Sequence, residues 1–228
     1  EVAQGSALAA GKALGSPVEL LFAGELNEGK GVGRVLRVAL ALQSRGIPFR
    51  LRLLGDGPER PRYEAWVREH KLAGTSFLGW VARTQVAEYY AASHFILLPS
   101  RSEGWPKVLS EAMAYGVVPV AAAVSSIPQI LGETRAGVAL PVDDIDGMAG
   151  AIAGFVAEPE RWEAASRAGV VAAHRFTYST YQSAVAGLFS GAWGVRLAMP
   201  EKRNSLEPVS IPAQPNSENS PYSSNGYH

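Results

Sequence analysis

The sequence predicts an α/β fold: a parallel sheet with helices covering both faces. Three observations lead there. Short runs such as Phe95-Ile96-Leu97-Leu98 are apolar at every position, as buried parallel strands are. Segments with helical spacing alternate with these runs along the chain. Turns bearing Gly or Pro stand where strands hand over to helices.

The elements follow in order. Val18 to Ala23 reads as the first strand and Gly24 to Gly31 as a loop. Val32 to Arg45 reads as a helix, with Val32, Val35, Leu36, Ala39 and Leu42 on one face. Phe49 to Leu54 is the second strand, alternating with arginines. Gly55-Asp56-Gly57-Pro58 turns into a helix that runs through Lys71, because Pro suits a first helical turn. Ser76 to Leu78 is a short third strand, and Arg83 to Ala91 a helix before the strand Phe95 to Leu98. Pro106 opens the next helix, where Val108, Leu109, Ala112 and Met113 recur at helical spacing. Val117 to Ala122 and Gly137 to Leu140 are strands separated by a helix near Ile127 to Leu131. Asp146 to Val156, Pro159 to Ala173 and Thr177 to Phe189 read as closing helices. Residues 1–17 are small and polar, like a linker, and the folded domain spans 18–198. From 199 to 228 Ser, Asn, Pro and Gly dominate, which reads as a disordered tail.

Composition excludes several classes. With 21 basic and 21 acidic residues the net charge is zero, so the basic excess of a nucleic-acid binder is missing. The absence of cysteine rules out disulfides and thiol catalysis and is compatible with a reducing cytoplasm. Four scattered histidines make no metal-ligand cluster, so no metal is expected. No apolar run approaches membrane-spanning length, and no signal peptide is visible. The chain begins Glu-Val-Ala-Gln, and we read it as a fragment whose N-terminal partner domain is missing.

An open parallel sheet binds ligands in the crevice at the carboxyl ends of its strands, and every motif falls at such an end. Gly24 to Gly31 follows the first strand; its glycines permit close backbone approach, and Lys30 stands where it reaches a phosphate at a helix start. Gly29, Gly31 and Gly33 lack the Gly-x-Gly-x-x-Gly spacing of a dinucleotide-binding enzyme. The strongest pattern is Ser100 to Gly116, Ser-Arg-Ser-Glu-Gly-Trp-Pro-Lys-Val-Leu-Ser-Glu-Ala-Met-Ala-Tyr-Gly. Strand, turn and helix N-terminus make an anion site, and Glu103 and Glu111 flank it. Carboxylates there repel a bare phosphate but accept from hydroxyl groups. A ligand with phosphate in its middle and hydroxyls at both ends fits, and a nucleotide-sugar is such a ligand. In the bland reading, Glu103 is an acid favoured near a helix N-terminus and Glu111 a surface residue. Trp80 ends the third strand, where an aromatic more often packs on the core than stacks on a base. His94 precedes a buried strand and reads as structural.

Glu103 and Glu111, set in Leu-Pro-Ser-x-x-Glu-Gly and Glu-Ala-Met-Ala-x-Gly, resemble the E-x7-E signature of retaining GT-B glycosyltransferases of the family 4 (group 1) type. The likeness runs from about Val18 to Phe189. It implies a Rossmann-like donor-binding domain, the C-terminal half of a GT-B fold, with a nucleoside diphosphate sugar as donor substrate and no cofactor. By the same likeness Glu103 accepts from donor-sugar hydroxyls and Glu111 from the ribose. The N–H groups of Gly104 and Trp105 face the sugar, and those of Lys107 and Val108 lie toward the diphosphate. Gly55 belongs to the family's Gly-x-Gly-Pro turn near the nucleotide, and Leu78 and Gly79 to its Phe-Leu-Gly-x-Val, which cradles the base. Lys30 and Gly31 match the family's Lys-Gly, but Glu25 stands where an Arg usually completes the diphosphate clamp. Ser125, Ser126 and Gln129 likewise replace a Gly-Gly-x-x-Glu. The resemblance implies a transferase that needs its own N-terminal acceptor domain for activity. It also implies a cytoplasmic location, with peripheral association of the full-length enzyme at the inner membrane face. Two other readings stand beside it: a degraded domain that only binds ligand or scaffolds a partner, and a sugar-nucleotide epimerase of the same fold, from which the E-x7-E context points away.

Overall fold

The computed structural model describes residues 2–104 and 106–193. Trp105 and the stretch 199–228 read as a tail lie outside the described residues. Six strands form one wholly parallel sheet in the order β3-β2-β1-β4-β5-β6. They are β1 (Val18–Ala23), β2 (Phe49–Leu54), β3 (Thr75–Gly79), β4 (Phe95–Leu98), β5 (Val118–Ala122) and β6 (Val138–Leu140). This is the doubly wound order, and its direction reverses between β1 and β4, where such sheets open a crevice for ligands.

Alternation along the strands divides the core into two. Leu20, Phe22, Leu51, Leu53, Phe95, Leu97, Val118 and Val120 face one layer. That layer is closed by α2 (Val32–Ser44), by Tyr63 of α3 (Arg60–Glu69), by α7 (Ile145–Ala157) and by Trp162 of α8 (Pro159–Ala173). Leu21, Leu54, Ile96, Leu98 and Ala121 face the other. There the cover comes from α4 (Arg83–Ala92), α5 (Lys107–Ala114), α6 (Ile127–Thr134) and the end of α8. A sheet buried on both faces explains why its strands read as continuous apolar runs. A 3₁₀ turn, His174–Phe176, leads into α9 (Tyr178–Trp193), which runs beyond the Phe189 expected from sequence.

The first seventeen residues differ from the linker that the sequence suggests. Val2–Ala9 form helix α1, packed against α4, α5 and α8. Behind it the buried Lys12 ammonium donates to the carbonyls of Tyr90, Ser93 and Tyr115 at 2.8–2.9 Å, which fastens the segment to the domain. His94 lies beside it at the amino-terminal edge of the sheet. Its Nδ1 accepts from the Glu19 N–H at 3.0 Å, and its ring meets Trp162 edge-on. Burial, with the charge of Lys12 adding to it, holds the imidazole below its ordinary pKa, and the residue is structural.

Lys12 makes stability depend on pH. Burial brings its pKa down to about 7, because the three carbonyls offset only part of the cost of desolvating the charge. The unfolded chain keeps that proton to about pH 10.4, so it binds the proton more tightly than the folded state does. The unfolding free energy is therefore expected to rise as pH goes from about 7 to about 9.5. Urea denaturation at the two values checks this, and Lys12→Met should flatten the rise.

Candidate functional site

The loops leaving β1 and β4 lie side by side at the switch point. The Arg101 N–H donates to the Gly29 carbonyl at 3.0 Å, and the Ser100 hydroxyl to the Lys30 carbonyl at 3.4 Å. The Lys30 N–H donates to Asn27 Oδ1 at 2.7 Å, and Gly31, left-handed at φ 82°, precedes α2. These anchors carry the Lys30 side chain across to the second loop. Its ammonium donates to both oxygens of Glu103, at 2.9 and 3.0 Å. The Glu103 side chain is only 8% exposed and that of Lys30 38%, so a nearly buried carboxylate meets a cation open to the crevice. Ser125 Oγ donates to the Glu103 backbone carbonyl and steadies the turn from the β5 side. Ser125 does so at φ 51°, a left-handed conformation that is costly without glycine.

Beyond Glu103 the chain enters α5 with Pro106 extended at its N-cap and no side-chain cap. The first N–H groups of the helix, those of Lys107 and Val108, thus have no capping side chain, which leaves them the means to meet an anion. Gly104 and Lys107 are exposed and Val108 half-buried. Glu111 stands in the second turn of α5, half-buried, and accepts from the Tyr90 hydroxyl at 3.1 Å.

The ends of β1, β2 and β3 form the other half of the crevice. The Gly55 N–H donates to the Gly79 carbonyl at 2.8 Å, and the Gly24 N–H to the Leu54 carbonyl at 2.9 Å. A shallow cleft of about 320 Å³ opens there, lined by Gly24, Glu25, Gly55, Asp56, Trp80 and Val81 among others. Leu78 is exposed beside it and Gly79 is buried. Trp80 is 79% exposed, which overturns the expectation that it covers the core. Asp56 takes the surface role expected of it, accepting from the Gly57 N–H at 2.8 Å. Glu25 is exposed at the rim. Gln129 donates to Glu133 on the surface of α6.

The structure thus joins Lys30 directly to Glu103 and the Gly55 turn to Gly79. It gives Glu111 a separate partner in Tyr90. Sequence reasoning missed Arg34. This residue is fully buried in the first turns of α2, donating from Nε to Asp143 Oδ1 at 2.9 Å and from Nη1 to the carbonyls of Glu28 and Pro99. It therefore ties the Lys30 loop, the end of β4 and the approach to α7 together. The Arg34 hydrogen bond, with the guanidinium charge behind it, holds the Asp143 carboxyl below the usual carboxylate range. Nothing in the spacing marks Arg34, which sits among the apolar residues of its helix. Tyr90 gives no signal either, since it lies 21 positions from Glu111 and only the tertiary fold brings its hydroxyl to that carboxylate. Among the described residues, no three His, Cys, Asp or Glu side chains are placed to hold a metal ion together.

The model of the family described as glycosyl transferases group 1 matches residues 10–170. The chain belongs to that family. Among curated relatives, the D-inositol 3-phosphate glycosyltransferase of Saccharomonospora viridis is 30% identical over 201 residues, covering 82% of this chain and 47% of its own. A putative colanic acid biosynthesis glycosyltransferase of Salmonella typhimurium is 30% identical over 151 residues, 63% of this chain and 37% of its own. Among solved structures, sucrose-phosphate synthase from Thermosynechococcus elongatus superposes with a TM-score of 0.68 at 26% identity, covering 84% of this chain and 49% of that one. This group 1 glycosyltransferase chain therefore spans less than half the length of each of these three proteins. The Rossmann-like sheet is that of the GT-B enzymes. Among the described residues, no helix is long and apolar enough to cross a membrane.

Proposed function

We propose that this chain is the donor-binding domain of a retaining glycosyltransferase. It would hold a nucleoside diphosphate sugar while the sugar passes to an acceptor hydroxyl. The observation that carries this reading is the meeting of Lys30 and Glu103 at the switch point, beside the uncapped start of α5. A cation and free N–H groups suit a diphosphate, and a nearly buried carboxylate suits sugar hydroxyls. The base lies in the cleft by Gly55, Leu78, Gly79 and Trp80, and the ribose on Glu111. In the reaction the bond from the sugar's anomeric carbon to the phosphate oxygen breaks, and its electron pair leaves with the diphosphate. The acceptor oxygen bonds to the same face of that carbon, and its proton passes to the departing phosphate. Lys30 and the α5 N–H groups stabilise the charge that develops on the diphosphate. Acceptor contacts come from an N-terminal domain of the full-length enzyme, which works in the cytoplasm at the inner membrane face.

Calorimetry of the full chain and its variants tests these assignments. Glu111→Ala is expected to weaken UDP and UDP-glucose alike, because both carry ribose, with GDP and ADP pairs run in parallel. Glu103→Ala is expected to weaken the sugar-bearing member of each pair selectively. Each lost charge-assisted hydrogen bond is worth about 1.5–3 kcal/mol, roughly ten- to 150-fold. An equal loss for both members in both variants would sink the assignment.

One observation favours a second reading, a domain that binds ligand without catalysis. The rim of the cleft carries the exposed carboxylate of Glu25 where the resemblance leads one to expect a cation. Turnover by the full-length enzyme with and without Glu103→Ala separates the two readings. A transferase loses activity, whereas a scaffold has none to lose.

A further inference from the structure

The contact between Lys30 and Glu103 pairs the two side chains that the proposed function assigns to opposite parts of the donor. We propose that this pair is an exchange latch that makes the site prefer a sugar nucleotide to the nucleotide alone. The inference rests on the donor-binding reading above.

Among the described residues, the ammonium of Lys30 is the one group that donates to the Glu103 oxygens, and it donates to both. The backbone on either side is fixed, by Asn27 and Ser100 around Lys30 and by Ser125 at Glu103. The main chain that carries the two side chains is therefore anchored, and a change of partner on Glu103 needs only side-chain movement. A bare nucleoside diphosphate that draws Lys30 away leaves a nearly buried carboxylate uncompensated, and leaves it next to a polyanion. Removing one partner of a buried pair is the costly way to break it. A sugar nucleotide draws Lys30 away equally, but its sugar brings hydroxyl donors that take the place of the ammonium on Glu103. Donor binding is thus a trade of partners, whereas product binding is a net loss.

The same trade acts after transfer. Once the sugar has gone, Glu103 has no donor, and the pair can reform only if Lys30 lets the diphosphate go. Re-pairing of Lys30 with Glu103 thus helps expel the spent nucleotide.

Glu103→Gln tests the latch, since the amide ends the ion pair yet still hydrogen-bonds hydroxyls. Binding of inorganic pyrophosphate, of UDP and of UDP-glucose to the full chain would be measured by calorimetry, with the GDP and ADP pairs in parallel. The variant is expected to bind pyrophosphate and the bare nucleotide about tenfold more tightly, while the sugar nucleotide tightens less than about threefold or weakens. In a Lys30→Met background the gain should vanish. Should the amide variant fold poorly, Glu103→Asp, whose shorter side chain loosens the pair, carries the same expected sign. Bare-nucleotide affinity that is unchanged or weaker in a folded variant overturns the latch while the wild-type chain still binds the sugar nucleotide. A wild-type chain that binds neither ligand overturns the donor-binding reading and the latch with it.

Discussion

Lys30→Ala is expected to weaken nucleoside diphosphate binding by about tenfold. Two effects oppose each other. The diphosphate loses a charge-assisted partner worth roughly 1.5–3 kcal/mol. The Glu103 carboxylate, 8% exposed and held by Lys30 alone among the described residues, is already unpaired in the free variant, so no ion pair has to break on binding and part of the loss is offset. Glu25, at the rim, supplies no replacement cation. The same substitution should lower stability, because among the described residues the stranded carboxylate has no other donor. Calorimetry with UDP, GDP and ADP checks the first effect and urea denaturation the second. Adding Glu103→Gln to Lys30→Ala should restore most of the stability. An unchanged dissociation constant in Lys30→Ala would show that this loop does not serve the ligand.

Gly55→Ala is expected to cost about 4 kcal/mol or more, a size reserved for changes that force the backbone to move. Gly55 sits at φ 125°, outside the range of other residues, and a Cβ there would lie 1.9 Å from the Gly24 carbonyl oxygen. No side-chain rotation relieves a clash with backbone. The ends of β1 and β2 would have to part, and with them the bond from the Gly24 N–H to the Leu54 carbonyl. The thermal midpoint should fall by roughly 10 °C for a domain of this size. Nucleotide binding should suffer even in the folded fraction, since the cleft is built from these strand ends. Gly150→Ala is the control. That glycine lies in α7, exposed, with open space where the Cβ would go, so the change should be neutral or stabilising by up to about 1 kcal/mol. Differential scanning calorimetry of the two variants makes the comparison.

The features most legible in the sequence are those set by local pattern. A strand buried on both faces has to be apolar at every position, so β4 and β5 announce themselves. Turns that need Gly or Pro mark where strands give way to helices, as at Gly55 to Pro58. The pairing of Lys30 with Glu103 is less local. Sequence places each residue at a strand's carboxyl end, but only the adjacency of β1 and β4 brings them together across 73 positions. Helix α1 was hidden because its residues are small and its apolar face is weak. It is held by docking, with Gly5 lying against the Ala114 carbonyl so closely that a Cβ would come within 2.7 Å of the oxygen. Arg34 was hidden for the opposite reason. A charged residue reads as surface, yet this one is buried because carbonyls and Asp143 surround its guanidinium. Trp80 misled because a large aromatic normally seeks the core, and here it stands out over the cleft.

A crystal structure of the chain soaked with the sugar nucleotide that it binds most tightly among the UDP, GDP and ADP glucose esters tests the central claim most directly. The diphosphate is expected on Lys30 and the first N–H groups of α5, the sugar hydroxyls on Glu103 and the ribose on Glu111, with the Lys30 to Glu103 contact broken. A nucleotide bound away from the β1 and β4 loops, or one bound with that contact intact, would contradict it.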